Sequence, residues 1–188
     1  MATTSDISRG AFIRLNGELG VVMEYAHVTP NKTRAMYHVK LRNIRTGKII
    51  EHRYRSGETI DLERVETKEL QYIYKEGNAL VCMDNETYEQ TMINDDLVGD
   101  TMRFVKEGMN ITIGFDANES PVFAEAPTFV ELQITYTEPG LKGDTATNTL
   151  KPATLETGAE IRVPLFVDNE ETIKVDTRTG EYVERVKK

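Results

Sequence analysis

The chain has 188 residues and a formal net charge of -8, with 39% hydrophobic and 29% charged residues. This composition is ordinary for a globular protein and excludes wholesale disorder. No apolar run approaches the roughly 18 residues that cross a bilayer, and the N-terminus lacks the features of a secretory signal, so we expect no membrane segment. The single cysteine, Cys82, excludes an internal disulfide and fits a reducing cytoplasm.

The first unit of the chain, residues 1–64, has the pattern of a small SH3-like β-barrel. Asn16 and Gly17 lie between two apolar runs, and an Asn-Gly pair tolerates the positive φ angles of a tight hairpin. A strictly alternating run at 36–42 predicts a half-buried strand with a basic outer face. The predicted strands of this unit span 11–15, 19–25, 36–42 and 49–54.

Positive charge is concentrated in this first unit. Residues 1–64 hold 11 Lys/Arg and 7 Asp/Glu, residues 65–127 hold 4 and 13, and residues 128–188 hold 8 and 11. A basic block on an otherwise acidic protein favours a phosphate backbone as partner; the alternative is a solvated charged face without a partner. The block contains one acid, Glu51, and eight cations: Lys32, Arg34, Lys40, Arg42, Arg45, Lys48, Arg53 and Arg55.

The remaining chain predicts two further barrels, with five short strands each in the manner of the OB fold. A boundary is expected near Ala126 and Pro127, which gives units 65–127 and 128–188. Cys82 lies in a predicted strand and is expected to be a buried thiol. Residues 87–104 predict short helical turns, and residues 139–152 predict a Gly/Thr-rich loop. The predicted strands are 70–74, 79–83, 109–115, 121–124, 129–136, 159–167, 172–175 and 182–186.

The sequence lacks the residue patterns of common catalytic and metal sites. Three scattered histidines and one cysteine predict no metal site. No glycine-rich phosphate loop or nucleophile elbow is present, and adjacent acidic pairs would point to opposite faces of a strand. We therefore expect a protein that is not an enzyme and holds no cofactor.

A polar segment at 27–35 joins two predicted strands and contains Pro30 and Lys32. It predicts an exposed hairpin tip that bears Lys32. On such a tip, a lysine either serves solubility alone or reaches as a point charge toward RNA phosphate and ribose oxygens.

Several runs of residues closely resemble the elongation factor P family of bacterial translation factors, over essentially the whole chain. The most specific runs lie in the third unit, where Pro139 to Ala146 reads Pro-Gly-Leu-Lys-Gly-Asp-Thr-Ala. The runs that support the resemblance are 39–42 with Thr46-Gly47, 85–90, 129–132, 139–146, 151–155, 157–159, 163–167 and 173–182.

The resemblance implies three β-barrels, one SH3-like and two OB-type, in an L-shaped arrangement. It implies a monomeric cytoplasmic factor that binds both ribosomal subunits between the peptidyl and exit sites. There it would contact the peptidyl-tRNA and the exit-site codon of the mRNA, and relieve stalling at consecutive prolines.

The resemblance also assigns roles to individual residues. Lys32 matches the tip lysine that reaches the CCA end of the peptidyl-tRNA and that a lysine-modifying enzyme often extends. Supporting RNA contacts are expected from Arg34, Lys40 and Arg42. The loop near the exit-site codon corresponds to Gly143, Asp144 and Thr145. Small-subunit or tRNA contacts near the C-terminus correspond to Tyr182 and Arg185.

The tip departs from the family pattern, which commonly has Pro-Gly-Lys-Gly where this chain has Pro30-Asn31-Lys32-Thr33. A β-branched threonine disfavours positive φ, so we expect a different tip conformation. Family members with an arginine at the tip position carry a rhamnose on it. Because this chain has a lysine there, we predict no such sugar. Two alternative functions stay open: a general OB-fold RNA-binding protein and an elongation-factor-P-like paralogue.

Overall fold

The computed structural model describes residues 1–30, 34–140 and 149–187. Within them the fold is almost entirely β, with three antiparallel sheets of five strands, one two-stranded pair and three short 3-10 helices. The predicted all-β class is therefore confirmed. The 3-10 helices span Thr4–Asp6, Asp95–Leu97 and Gly99–Phe104.

The N-terminal sheet has the strand order β5-β4-β3-β2-β7, while β1 pairs with β6. Asn16 and Gly17 have φ angles of 52° and 83°, as a tight hairpin between β2 and β3 requires. The strands are β1 (Ala2–Thr3), β2 (Phe12–Leu15), β3 (Glu18–Val28), β4 (Met36–Asn43), β5 (Ile49–Arg55), β6 (Thr59–Ile60) and β7 (Leu62–Glu63). The core beneath them contains Ile7, Ile13, Val22, Val39, Leu41, Tyr54 and Ile60.

Strands β3 and β4 continue past this core. Their ladder runs from the Gly20–Asn43 pair to the Val28–Met36 pair, with a register shift between Val22 and Glu24. The last five residues of β3 are all exposed. The strand pair therefore extends into solvent, and the connection between its ends contains residues 31–33, which lie outside the described part of the chain.

The central sheet has the order β10-β9-β8-β11-β12. Its strands are β8 (Glu66–Glu76), β9 (Ala79–Met83), β10 (Gln90–Asn94), β11 (Asn110–Phe115) and β12 (Pro121–Glu125). The helical turns expected within 87–104 are confirmed, but β10 was not predicted. Its sequence is polar apart from two residues, and only Ile93 is buried. Pairing with β9, rather than hydrophobic alternation, makes this segment a strand.

The C-terminal sheet has the order β15-β14-β13-β16-β17. Its strands are β13 (Phe129–Thr137), β14 (Leu150–Leu155), β15 (Glu160–Pro164), β16 (Thr172–Asp176) and β17 (Glu181–Arg185). The prediction of a loop up to residue 152 was wrong, because β14 begins at Leu150. Lys151 and Pro152 conceal this strand in the sequence, since a lysine is rarely buried and a proline cannot donate to a β-ladder.

By compactness the chain divides into two units, Met1–Lys68 with Gly114–Phe123 and Glu69–Ile113 with Ala124–Lys188. In the compact unit that contains Met1–Lys68 and Gly114–Phe123, the rings of Phe12 and Phe123 stack with their centres 5.6 Å apart. Gly114 leaves room for the Phe123 ring, because a Cβ atom at Gly114 would lie 2.1 Å from it. The domain boundaries after residues 64 and 127 stay predictions.

Candidate functional site

Strand β4 presents the predicted basic face to solvent. Val39 and Leu41 are buried, while His38 and Lys40 are exposed and Arg42 is half-buried. This is the alternation expected of residues 36–42, because successive side chains of a strand point to opposite faces. We call the side that bears His38, Lys40 and Arg42 the outer face of the N-terminal sheet.

Lys40 is flanked by two carboxylates on this face. Its Nζ lies 3.4 Å from Glu24 on β3 and 4.0 Å from Glu51 on β5. Both acids are Cα partners of Lys40 in the ladders of the sheet. The positive charge of Lys40 is therefore partly compensated within the protein. The sequence does not reveal this, because Glu24 precedes the basic block.

The other predicted contacts of the first unit lie nearer the ends of β4. Arg34 is exposed just before β4 begins. Arg42 has Val21 and Ile49 as its neighbours across the sheet. Lys32 lies outside the described residues, so its expected place on the tip stays a prediction.

Aromatic rings pack on the inner side of the extended strand pair, at the edge of the core that contains Tyr54. His27 stacks on Tyr37 at 4.5 Å with 19° between the ring planes, and His52 contacts Tyr54 edge-on at 4.4 Å. The Tyr54 hydroxyl is buried and has no hydrogen-bond partner among the described residues, and burial, assisted by Glu58, raises its pKa. These rings give the extension a packed inner side. In the sequence, only the alternating pattern of the strands indicated this inner side.

Near the C-terminus, the predicted residues Tyr182 and Arg185 meet around an exposed ring. The guanidinium carbon of Arg185 lies 4.9 Å from the ring centre of Phe166, and Tyr182 contacts the same ring edge-on at 6.5 Å. Arg185 also pairs with Glu171 at 3.2 Å. We call Phe166, Tyr182 and Arg185 the C-terminal patch.

Phe166 was missing from the sequence-based site, although its side chain is 57% exposed. Sequence reasoning placed it inside a long apolar strand, but β15 ends at Pro164. Tyr182 packs against the core of this sheet, and burial raises the pKa of its hydroxyl while Arg185 opposes that shift. An exposed ring beside a guanidinium is a surface on which a nucleobase can stack.

Residues on either side of the predicted exit-site loop lie beside this patch. Gly143, Asp144 and Thr145 lie outside the described residues, but both neighbours of the segment 141–148 can be located. A Cβ atom at Gly140 would lie 2.5 Å from the carbonyl oxygen of Leu165, and Leu150 is the ladder partner of Pro164. Gly140 and Leu150 thus each lie against a residue that is within two positions of Phe166 in the sequence.

The described residues offer little other chemistry. Cys82 is buried, as predicted, and burial raises the pKa of its thiol to about 11. Across residues 1–30, 34–140 and 149–187, no three His, Cys, Asp or Glu side chains cluster as a metal site would require. In the same part of the chain, none of the helices has the length and apolar character that crossing a membrane requires.

Family models match the chain in three consecutive segments. Residues 3–60 match the elongation factor P KOW-like domain, residues 65–123 match the elongation factor P OB domain, and residues 130–185 match the elongation factor P C-terminal model. These matches agree with the predicted order of an SH3-like unit followed by OB-type units.

Full-length relatives give the same assignment. Elongation factor P of Chloroherpeton thalassium is 46% identical over 188 residues, which is 100% of both chains. Elongation factor P of Roseiflexus castenholzii is 48% identical over 187 residues, again 100% of each chain. The solved structure of eukaryotic translation initiation factor 5A from Methanococcus jannaschii covers 65% of this chain and 92% of its own, but its 13% identity and TM-score of 0.47 add nothing to the assignment. With near half of its residues shared along its entire length, the chain belongs to the elongation factor P family of translation elongation factors.

Proposed function

We propose that this protein binds the cytoplasmic ribosome beside the peptidyl-tRNA and stimulates peptide-bond formation at consecutive prolines. The observation that supports this most is the exposed extension of β3 and β4, whose connection contains Lys32. A long amine at the end of such an extension reaches into a crowded RNA site that a compact barrel cannot enter. It would contact phosphate and ribose oxygens at the CCA end.

The proposed mechanism is positional. Proline is a rigid secondary amine, and it leaves the peptidyl-tRNA poorly placed for reaction. Holding the CCA end in a near-attack geometry lowers the barrier because the ordering has already been achieved on binding. The ribosome supplies the chemistry, so the factor acts without catalytic residues of its own.

The C-terminal patch is the proposed second contact, toward the small subunit. Phe166 and Arg185 offer stacking and charge, and the neighbouring loop with Gly143, Asp144 and Thr145 would approach the exit-site codon. Arg34 and Arg42 are the proposed supporting contacts in the first unit, whereas Lys40 would first have to exchange its carboxylate partners for phosphate.

The deciding experiment is in vitro translation of a triple-proline reporter, with a triple-alanine reporter as reference. We expect the wild-type protein to restore proline-dependent synthesis and Lys32→Ala to lose most of that effect. Lys48→Ala is the matched control, because Lys48 is another exposed cation of the basic block. Equal rescue by wild type and Lys32→Ala would remove Lys32 from the mechanism.

Two further measurements complete the test. Co-sedimentation with ribosomes without rescue of the proline reporter would favour a paralogue with another task. Intact-protein mass spectrometry of material from the native host would show whether Lys32 is extended by a modifying enzyme. An unmodified mass together with full rescue would mean that the lysine suffices by itself.

A further inference from the structure

A surface groove of about 390 Å³ lies on the outer face of the N-terminal sheet. Two neighbouring rows of side chains line it. The first row is Ala26, His38 and Arg53, and the second is Glu24, Lys40 and Glu51. The rows are two residues apart along each strand, so all six side chains project from the same face.

Ala26 gives the groove its floor. Its side chain is a single methyl group. The other two side chains of its row are the imidazole of His38 and the guanidinium of Arg53. Along β3 the next residue on this face is Glu24, whose long side chain is exposed. A larger residue at position 26 would fill the groove without changing its charge.

The two ends of the groove differ in electrostatic character. Arg53 is exposed, and no described residue forms an ion pair with it. At the other end Glu24 and Glu51 flank Lys40 and keep carboxylate oxygens exposed, with side-chain exposures of 69% and 75%. The groove thus offers a cation at one end and hydrogen-bond acceptors at the other.

A simple anion would meet only the Arg53 end favourably, since the carboxylates would repel it at the other end. A nucleotide satisfies both ends, because its phosphate is anionic while the amino groups of its base are donors. The volume lies at the small end of the range of about 300–1,000 Å³ that is usual for small-ligand sites, which suits one nucleotide. His38 is exposed beside Arg53 in the first row, and histidine is a residue type on which unpaired bases stack.

We propose that this groove is a subsite for one unpaired RNA nucleotide. The phosphate lies at Arg53, the base lies against His38, and an exocyclic amine of the base donates to Glu24 or Glu51. This rests on the proposed function in one respect, which is that the partner of the basic unit is RNA. It assigns a role to Arg53 that neither the charge count nor the resemblance had singled out.

The test measures binding of a short fluorescent single-stranded RNA to the full-length protein by anisotropy, at several salt concentrations. We expect Ala26→Leu to weaken binding about tenfold by blocking the stacked base, with an unchanged salt slope. We expect Arg53→Gln to weaken binding and to lower the log–log salt slope by about one, since one phosphate contact is lost. The matched control is Arg9→Gln, at an exposed arginine outside both the groove and the basic block, which should bind as the wild type does.

Three results would overturn the inference. One is unchanged binding in both Ala26→Leu and Arg53→Gln. Another is an equal loss in all three variants, because that would indicate a diffuse basic surface. The third is equal or tighter binding of duplex RNA of the same length, which cannot place an unpaired base in the groove. Thermal unfolding of each variant checks that the fold is intact.

The translation reporter separates this inference from the proposed function. If Lys32→Ala fails to rescue while the groove variants bind RNA normally, the function stands and the subsite falls. If Lys32→Ala rescues fully while the groove variants lose RNA binding, the subsite stands and the role of Lys32 falls.

Discussion

One set of polar side chains in the N-terminal sheet and another in and beside the C-terminal sheet are used in opposite ways. In the N-terminal sheet the charged groups pair on the surface, as in Lys40–Glu24 at 3.4 Å and Arg45–Glu18 at 3.3 Å. In the C-terminal sheet three polar side chains are buried and donate to main-chain carbonyls. These bonds are Lys151 to Glu138 at 2.7 Å, Thr137 to Pro152 at 2.9 Å and Thr177 to Pro127 at 2.6 Å.

The difference separates side chains that stabilise the fold from side chains that are available to bind a partner. A buried group left without its partner costs about 1–3 kcal/mol, so these polar bonds fix β14 to the end of β13 and fix the residue after β16 to the start of β13. An exposed ion pair contributes about 0–1 kcal/mol, so the charges of the N-terminal sheet can exchange their protein partners for phosphate at little cost. We therefore expect substitutions of polar residues to affect stability in one region and binding in the other.

The largest expected effect on stability is that of Lys151→Ala. The side chain is only 6% exposed, so the substitution removes its buried stem and its hydrogen bond to Glu138. We expect a loss of about 2–4 kcal/mol in the free energy of unfolding, measured by urea titration. Lys151→Met keeps most of the stem and should lose only about 1–3 kcal/mol, from the unpaired carbonyl. If both variants unfolded at the same urea concentration as the wild type, the buried Lys151 would not contribute to stability and the prediction would be wrong.

Gly140→Ala is expected to come next. Its new Cβ would lie 2.5 Å from the Leu165 carbonyl oxygen, so the backbone at one of these two residues has to shift. We expect a loss of about 1–3 kcal/mol, together with weaker ribosome binding. Gly20→Ala in the N-terminal sheet is the comparison, because its Cβ would meet the Leu41 side chain at the looser distance of 3.3 Å. A larger loss for Gly20→Ala would reverse this order.

Lys40→Ala should change the free energy of unfolding by no more than about 1 kcal/mol, because Lys40 and both of its carboxylate partners are exposed. The small loss should shrink further in high salt, where such pairs are screened. Urea titrations at low and high salt measure both quantities. If Lys40→Ala destabilised the protein as much as Lys151→Ala does, the surface charges of the N-terminal sheet would be structural after all.

The smallest effect is expected from Asp176→Asn, and it should depend on pH. The side chain of Arg178 donates to Asp176 at 3.1 and 2.8 Å and, with its backbone N–H, holds the pKa of this carboxyl below 3.8 against the opposing effect of burial. A lowered folded-state pKa stabilises the fold above the unfolded-state value, and that contribution is lost as the pH falls through the folded-state value. The wild type should therefore exceed Asp176→Asn in stability at neutral pH, and the difference should shrink as the pH falls through the folded-state pKa of Asp176. A difference that persists in acid would point to packing instead.

The sequence predicted those features of the fold that depend on neighbouring residues, and it missed those that depend on contacts between strands. Local signals located most strands and the hairpin at Asn16 and Gly17, because alternation and turn chemistry act over a few residues. They missed β10 and the start of β14, where pairing with a neighbouring strand outweighs a polar or proline-containing sequence. At the C-terminal patch, Tyr182 and Arg185 came from the family resemblance, while Phe166 became visible only when the true end of β15 was known.

The sequence by itself determined that this chain is built from β-strands, that its positive charge gathers in the first unit, and that it belongs with elongation factor P. Tertiary structure decided which of those charges are compensated, since Glu24 reaches Lys40 only through the shifted register of β3 and β4. It also decided that Lys151 is buried and that Gly140 lies against Leu165. The reason is physical: composition and alternation are local properties, whereas a contact between strands depends on a register that the whole sheet sets.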